Sequence, residues 1–159
     1  ILSFTAEEVF SYYKKNEDES IFLKEWPNCS IELSSQEKEI GDILFQLRQT
    51  VSKELDDARN ANKIGSSLDA NLTIKLSHNK YNLLKDYENE LKFIFISSGC
   101  NILDNGKSND EIIVTSSSYK KCTRCWHKSD TVGTIDGHPE ICARCFDNIY
   151  GEGENRKLA

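Results

Sequence analysis

Two Cys-x-x-Cys pairs, Cys122/Cys125 and Cys142/Cys145, stand sixteen residues apart near the end of this 159-residue chain. A tight turn between paired cysteines aims two thiolates at one point, and two such turns complete a tetrahedron around a single zinc ion. The sixteen-residue span suits a four-cysteine zinc ribbon. Four thiolates fill the coordination shell and leave no open position for water, so the expected zinc is structural and there is one of it. The competing reading is two disulfides or a redox Cys-x-x-Cys, which would need one pair at a helix start in a βαβ setting. His127 and His138 offer imidazoles nearby, but four cysteines suffice without them.

Two further cysteines, Cys29 and Cys100, stand alone and read as ordinary reduced thiols. Paired spacing in a Lys/Glu-rich chain without a secretory signal points to metal binding in a reducing, cytoplasmic compartment rather than to a secreted disulfide scaffold. The longest apolar run is Phe93-Ile-Phe-Ile96, far short of a membrane span. The chain starts at Ile1 and contains no Met, which suggests a processed chain or a fragment.

Net charge is −6 and the pI about 5.1, which argues against a protein that binds nucleic acid by bulk electrostatics. The charge is uneven. Residues 119–159 carry seven Lys/Arg against six Asp/Glu, and the acidic excess lies upstream. Any RNA contact should therefore be local and shape-dependent.

The pattern upstream predicts an α+β organisation. Thr5 and Glu8 have capping-box form and predict a short helix through Val9, Phe10 and Tyr13, with residues 1–4 as the end of an earlier element. Pro27 disfavours helix at Trp26, so that segment reads as a loop whose Trp packs onto a core. Ser34 and Glu37 form a second capping box. After them Ile40, Ile43, Leu44, Leu47, Val51, Leu55 and Ala58 recur at helical spacing, predicting a helix over about 34–62, which Gly65 is placed to end. Strict alternation through Leu68, Ala70, Leu72, Ile74 and Leu76 predicts a half-buried strand. A helix over about 79–92 follows, then strands at 93–97 and 111–115 around the turn at 104–107, and a serine linker at 116–118. Helix, strand, helix, strand, strand suggests helices on one side of an antiparallel sheet. The acidic pair at 56–57 and the acidic run at 17–19 read as solvated faces, and Lys63 as part of a helix terminus.

Within the ribbon, Lys121, Arg124, Trp126, His127, Lys128 and Arg144 put cations beside one aromatic ring. Trp offers a stacking surface for an unpaired base, and Arg can pair with phosphate or stack. Equally, Trp126 could cover the metal site while the cations are merely solvated.

These residues carry a resemblance. The segment from Lys121 through Trp126 and His127, then Thr131-Val-Gly133, the segment from His138 to Cys145, and the ending from Gly151 to Ala159 closely resemble the C-terminus of bacterial isoleucyl-tRNA synthetases. The segment 1–8 and Glu25-Trp-Pro27 resemble the end of that family's helical anticodon-binding domain, and 58–70 the helix-to-strand junction that follows. The resemblance spans essentially the whole chain. It implies the end of a helical anticodon-binding bundle at 1–33, a small α+β subdomain at 34–118 and a four-cysteine zinc ribbon at 119–159. It implies further that Cys122, Cys125, Cys142 and Cys145 hold one Zn²⁺, and that Arg124, Trp126, Lys121, Lys128 and Arg144 face the anticodon region of tRNA(Ile). The implied whole enzyme is a cytoplasmic monomer, free of the membrane, that joins isoleucine to its tRNA with ATP. The family's His-Ile-Gly-His and Lys-Met-Ser-Lys-Ser nucleotide-binding signatures have no counterpart here, so ATP would be used by a catalytic domain outside this chain. Two other readings compete: the similar zinc ribbon of formamidopyrimidine-DNA glycosylases, and a free-standing zinc adaptor that docks protein through the helix over 34–62.

Overall fold

The computed structural model describes residues 2–13, 20–28, 30–107 and 109–158. The acidic run at 17–19 and Cys29 lie outside the described residues. Two compact units emerge, Ile1–Leu33 and Ser34–Ala159.

In the first unit, helix α1 (Ser3–Tyr13) starts two residues before the expected Thr5, and Ser3 and Phe4 belong to it rather than to an earlier element. Glu7 ties the following single turn, Ile21–Leu23, to the helix by accepting from Ser20 Oγ and Ile21 N, both at 3.0 Å. Trp26 does not pack down as expected: 96% of it is exposed. Among the described residues α1 buries no side chain, so this unit has no core for Trp26 to enter.

The second unit opens with the long amphipathic helix α2 (Ser35–Asn60). Ser34 Oγ accepts from Glu37 N at 3.2 Å and Glu37 Oε2 accepts from Ser34 N at 2.7 Å, the reciprocal cap expected, worth about 1 kcal/mol. The helix ends at Asn60, earlier than Gly65. Asn62 takes the left-handed conformation (φ 55°), and its N–H and that of Lys63 return to the carbonyls of Arg59 and Ala58 at 2.9 Å. Asn tolerates this conformation well enough to close a helix that Gly was expected to close.

Strand β1 (Ala70–Leu76) is central, with Ala70, Leu72, Ile74 and Leu76 all buried on one face. The next helical stretch is broken: α3 (His78–Leu84), a tight turn at Lys85–Tyr87, then α4 (Glu88–Ile94). The apolar run 93–96 is not a strand. It finishes α4, with Phe95 in the core one turn beyond Leu91, and Ile96 in the left-handed region at φ 55°. Strand β2 is instead Gly99–Asp104, and β3 is Glu111–Ser116. The sheet order is β2-β1-β3, with β1 parallel to β2 and antiparallel to β3. It is thus mixed rather than purely antiparallel, because the two short helices carry the chain across from β1 to β2. The helices supply one apolar face, where Ile40, Leu47, Val51, Leu55, Leu84 and Leu91 close over the sheet, α2 against β3 and the two short helices against β2. Each such side chain contributes about 1.5–3 kcal/mol of burial.

The ribbon follows directly. Strands β4 (Lys120–Lys121) and β5 (Lys128–Ser129) pair antiparallel, and helix α5 (Ala143–Tyr150) carries the last cysteine. The serine segment is not a free linker: Ser116 ends β3, and Ser117 is buried with its N–H on the Asp69 carbonyl at 2.7 Å. Among the described residues no helix is long and apolar enough to cross a membrane.

Candidate metal centre and the surface around it

The first knuckle is a turn in which Trp126 N–H donates to the Cys122 carbonyl and Cys122 N–H to the His127 carbonyl, each at 2.9 Å. Trp126 at φ 68° lets the chain reverse there. The second knuckle uses the start of α5, with Cys142 just before its first turn and Cys145 within it. Thr123 N–H donates to the Glu140 carbonyl at 3.0 Å and sews the two together.

This brings the four sulfurs of Cys122, Cys125, Cys142 and Cys145 within 4.8 Å of one another. Cys125 and Cys142 Sγ stand 3.7 Å apart, close to the ~3.8 Å edge of a tetrahedron with metal–sulfur bonds near 2.3 Å. That separation is far longer than a disulfide, and all four are free thiols, as is buried Cys100. The donor set needs a cation. Burial acts to raise Cys122, but backbone N–H groups of Cys125, Cys142 and Arg124 outweigh it and bring this thiol to about 6. Burial and the neighbouring sulfurs push Cys145 up to about 12 and Cys142 upward as well. Four clustered thiols cannot all ionise against one another, and a divalent ion is what lets all four carry charge. The cluster fits one structural Zn²⁺.

Neither histidine joins the cluster. His127 Nδ1 lies 3.1 Å from the Cys125 carbonyl and its ring meets Phe93 edge-on at 5.7 Å. Burial, together with the nearby cations Arg144, Lys92 and Arg156, holds the His127 pKa down, so the ring is neutral and donates from Nδ1. His138 stacks on Phe146 and Tyr150. A small apolar set, Val132, Ile141 and Phe146, closes round the sulfurs.

The five residues expected to face RNA divide into two groups. Trp126 is 58% exposed, and Lys121 Nζ sits 4.6 Å from its ring centre. Arg124 is also exposed, with Nη1 3.6 Å from Cys145 Sγ. Lys128 and Arg144 instead face inward. Lys128 N donates to Ser98 Oγ at 2.6 Å, and its Nζ donates to the Ser117 carbonyl at 3.1 Å and pairs with Asp69 at 3.2 Å. Arg144 pairs with Glu154 at 3.0 Å and lies over Phe93. The polar latch of Asp69, Ser98, Ser117 and Glu154 was not visible in the sequence, because its members are scattered over 86 positions and none forms a motif.

The tail is part of this latch. Arg156 lies 3.9 Å over the Phe93 ring, Glu90 accepts from the backbone N–H groups of Lys157 and Leu158 at 2.8 and 2.6 Å, and Leu158 packs against the main core.

Comparison with known proteins identifies the surroundings of this centre. Residues 120–148 match the family described as a zinc finger found in FPG and IleRS, which by itself admits the glycosylase as well as the ligase. Residues 1–75 match the anticodon-binding domain of tRNA ligase. An isoleucine–tRNA ligase of Hahella chejuensis is 37% identical over the whole chain and 18% of its own length. Isoleucine–tRNA ligase 1 of Burkholderia mallei is 37% identical over 99% of the chain and 17% of its length, and the ligase of Nitrosococcus oceani 33% identical over 100% and 18%. Along its whole length the chain is similar to isoleucine–tRNA ligases. It spans less than a fifth of the length of the curated ligases it matches. The zinc cluster sits on a chain whose residues 1–75 match an anticodon-binding domain, and that combination leaves the glycosylase reading without support.

Proposed function

We propose that this chain is the tRNA-docking C-terminal part of an isoleucine–tRNA ligase, an enzyme that joins isoleucine to its tRNA at the expense of ATP. Residues 1–33 end the helical anticodon-binding domain, 34–118 form a connecting α+β subdomain, and 119–159 form the zinc ribbon. Cys122, Cys125, Cys142 and Cys145 are the zinc ligands, and the ion supplies no chemistry beyond holding the two knuckles together. Activation of isoleucine and use of ATP belong to a catalytic domain outside these residues. The enzyme is a cytoplasmic monomer whose partner is the anticodon region of tRNA(Ile).

The observation that carries this reading is the exposed Trp126–Lys121 pair on a metal-closed turn, in a chain that aligns along its length with isoleucine–tRNA ligases. A Trp held rigidly by its own knuckle presents a flat face to an unpaired loop base, and base–aromatic stacking is worth about 1–3 kcal/mol. Lys121 beside it, with Arg124, meets the adjoining phosphate. Lys128 and Arg144 act one step back, fixing the ribbon so that this face is held in place.

The test uses the full-length ligase with Trp126→Ala. KM for tRNA(Ile) should rise roughly tenfold, as expected for one lost stack, while isoleucine-dependent exchange of pyrophosphate into ATP stays unchanged. An unchanged tRNA KM would sink the docking role, and a loss of exchange would show that the ribbon acts on the chemical step.

A further inference from the structure

Helices cover one face of the three-stranded sheet, and the other face meets the ribbon along a groove of about 510 Å³, within the roughly 300–1,000 Å³ of ligand pockets. Asn71 on β1 pairs with Gly99 on β2, and Asn101 lies two residues further along β2, so both carboxamides stand on the groove side of the sheet. The opposite wall is the ribbon at Ser129–Thr131 and the start of α5. Tyr119, 51% exposed, and Lys92 also line it.

Several features mark this groove as a recognition surface. Among the described residues neither carboxamide has a side-chain hydrogen bond within the protein, and Lys92 has no carboxylate partner. Asn71 also lies close across β2: a Cβ on Gly99 would stand 2.7 Å from Asn71 Oδ1 and push that amide aside. A carboxamide presents a donor and an acceptor side by side, the pattern that reads the edge of a nucleobase. Asp130 also lines the groove, which disfavours an acidic peptide or a phosphate cluster as occupant.

We propose that this groove receives one unpaired base of the bound RNA, read by Asn71 and Asn101, stacked on Tyr119, with its phosphate beside Lys92. The proposal rests on the tRNA-docking reading above and adds a second, base-specific contact to the Trp126 face.

The experiment measures the affinity of the zinc-loaded full-length ligase for a tRNA(Ile) transcript, and for transcripts carrying a single abasic nucleotide at each anticodon-loop position in turn. Asn71→Ala, Asn101→Ala and Gly99→Ala should each lower affinity for the unmodified transcript roughly tenfold, the size of one good base-edge contact. One abasic transcript should bind parent and variants alike, which identifies the base that is read. Asn101 is exposed, so its variant keeps the test valid if changes at Asn71 or Gly99 disturb the sheet. Equal losses on every abasic transcript would mean a backbone contact and overturn base reading. Variants that bind all transcripts like the parent, while Trp126→Ala does not, would overturn the groove and leave the docking role standing. If Trp126→Ala also binds normally, both readings fall.

Discussion

Two lysines seven residues apart show how far a residue's chemistry depends on what the fold brings beside it. Lys121 and Lys128 look alike in the sequence, both flanking the first cysteine pair in a basic, aromatic stretch. In the fold, Lys121 lies over the exposed Trp126 ring, while Lys128 is spent on Asp69 and Ser117 with only 22% of its side chain exposed. Nothing local distinguishes them, since the partner of Lys128 lies 59 positions upstream. Lys121→Ala should therefore leave urea stability of the zinc-loaded protein unchanged and reduce the salt dependence of tRNA binding by about one phosphate contact. Lys128→Ala should do the reverse, costing about 1 kcal/mol of stability: Asp69 keeps its bonds from Ser66 N and Oγ at 2.8 and 3.0 Å but loses its ion pair, and the Ser117 carbonyl loses a donor. Denaturation curves and a salt titration of RNA affinity separate the two. The cysteines were legible for the opposite reason: a metal knuckle is a local device, and its spacing is written into adjacent positions.

At the level of elements, periodicity identified α2 and β1 because both have one buried and one solvated face along their length. It failed at 93–96, where four apolar residues in a row carry no period. Only the core contacts decide there: Phe95, one turn beyond Leu91, extends the buried face of α4, and the chain turns before β2 can begin. The turn places Ile96 at φ 55°, a conformation that a β-branched side chain disfavours. Its side chain is 49% exposed, so little burial compensates for that strain. Ile96→Asn should accordingly raise stability by on the order of 1 kcal/mol, read as a higher midpoint in thermal unfolding. Phe95→Ala, one residue earlier and almost wholly buried, should lower it by about 3–5 kcal/mol. A strand at 93–97 would hold Ile96 in the extended region, where Asn is worse than Ile, so the sign of the Ile96→Asn change tests the helical assignment directly.

For the second unit as a whole, the arrangement is two cores joined by a polar seam. The main core draws on α2, α3, α4 and all three strands, and the second is built from the cysteines with Val132 and Ile141. Apart from Leu158 of the tail, no residue beyond 114 contributes to the main core among the described residues. The seam consists of Lys128 with Asp69, Ser98 and Ser117, and of Arg144 and Arg156 over Phe93. The ribbon's own core is too small to fold on apolar burial, so its free energy of folding is largely that of binding zinc. Chelation should therefore unfold residues 119–150 while α2 and the three-stranded sheet survive. Hydrogen exchange followed peptide by peptide would show this as lost protection in the ribbon with protection retained over residues 40–58 and 70–76. Acid should act in the same direction, because each ligand must be deprotonated to bind and protons compete with the ion as pH falls. Cooperative loss of protection over both cores on chelation would mean that the seam couples them more tightly than its few ion pairs suggest. Retained protection in the metal-free ribbon would mean that the ion is not structural at all.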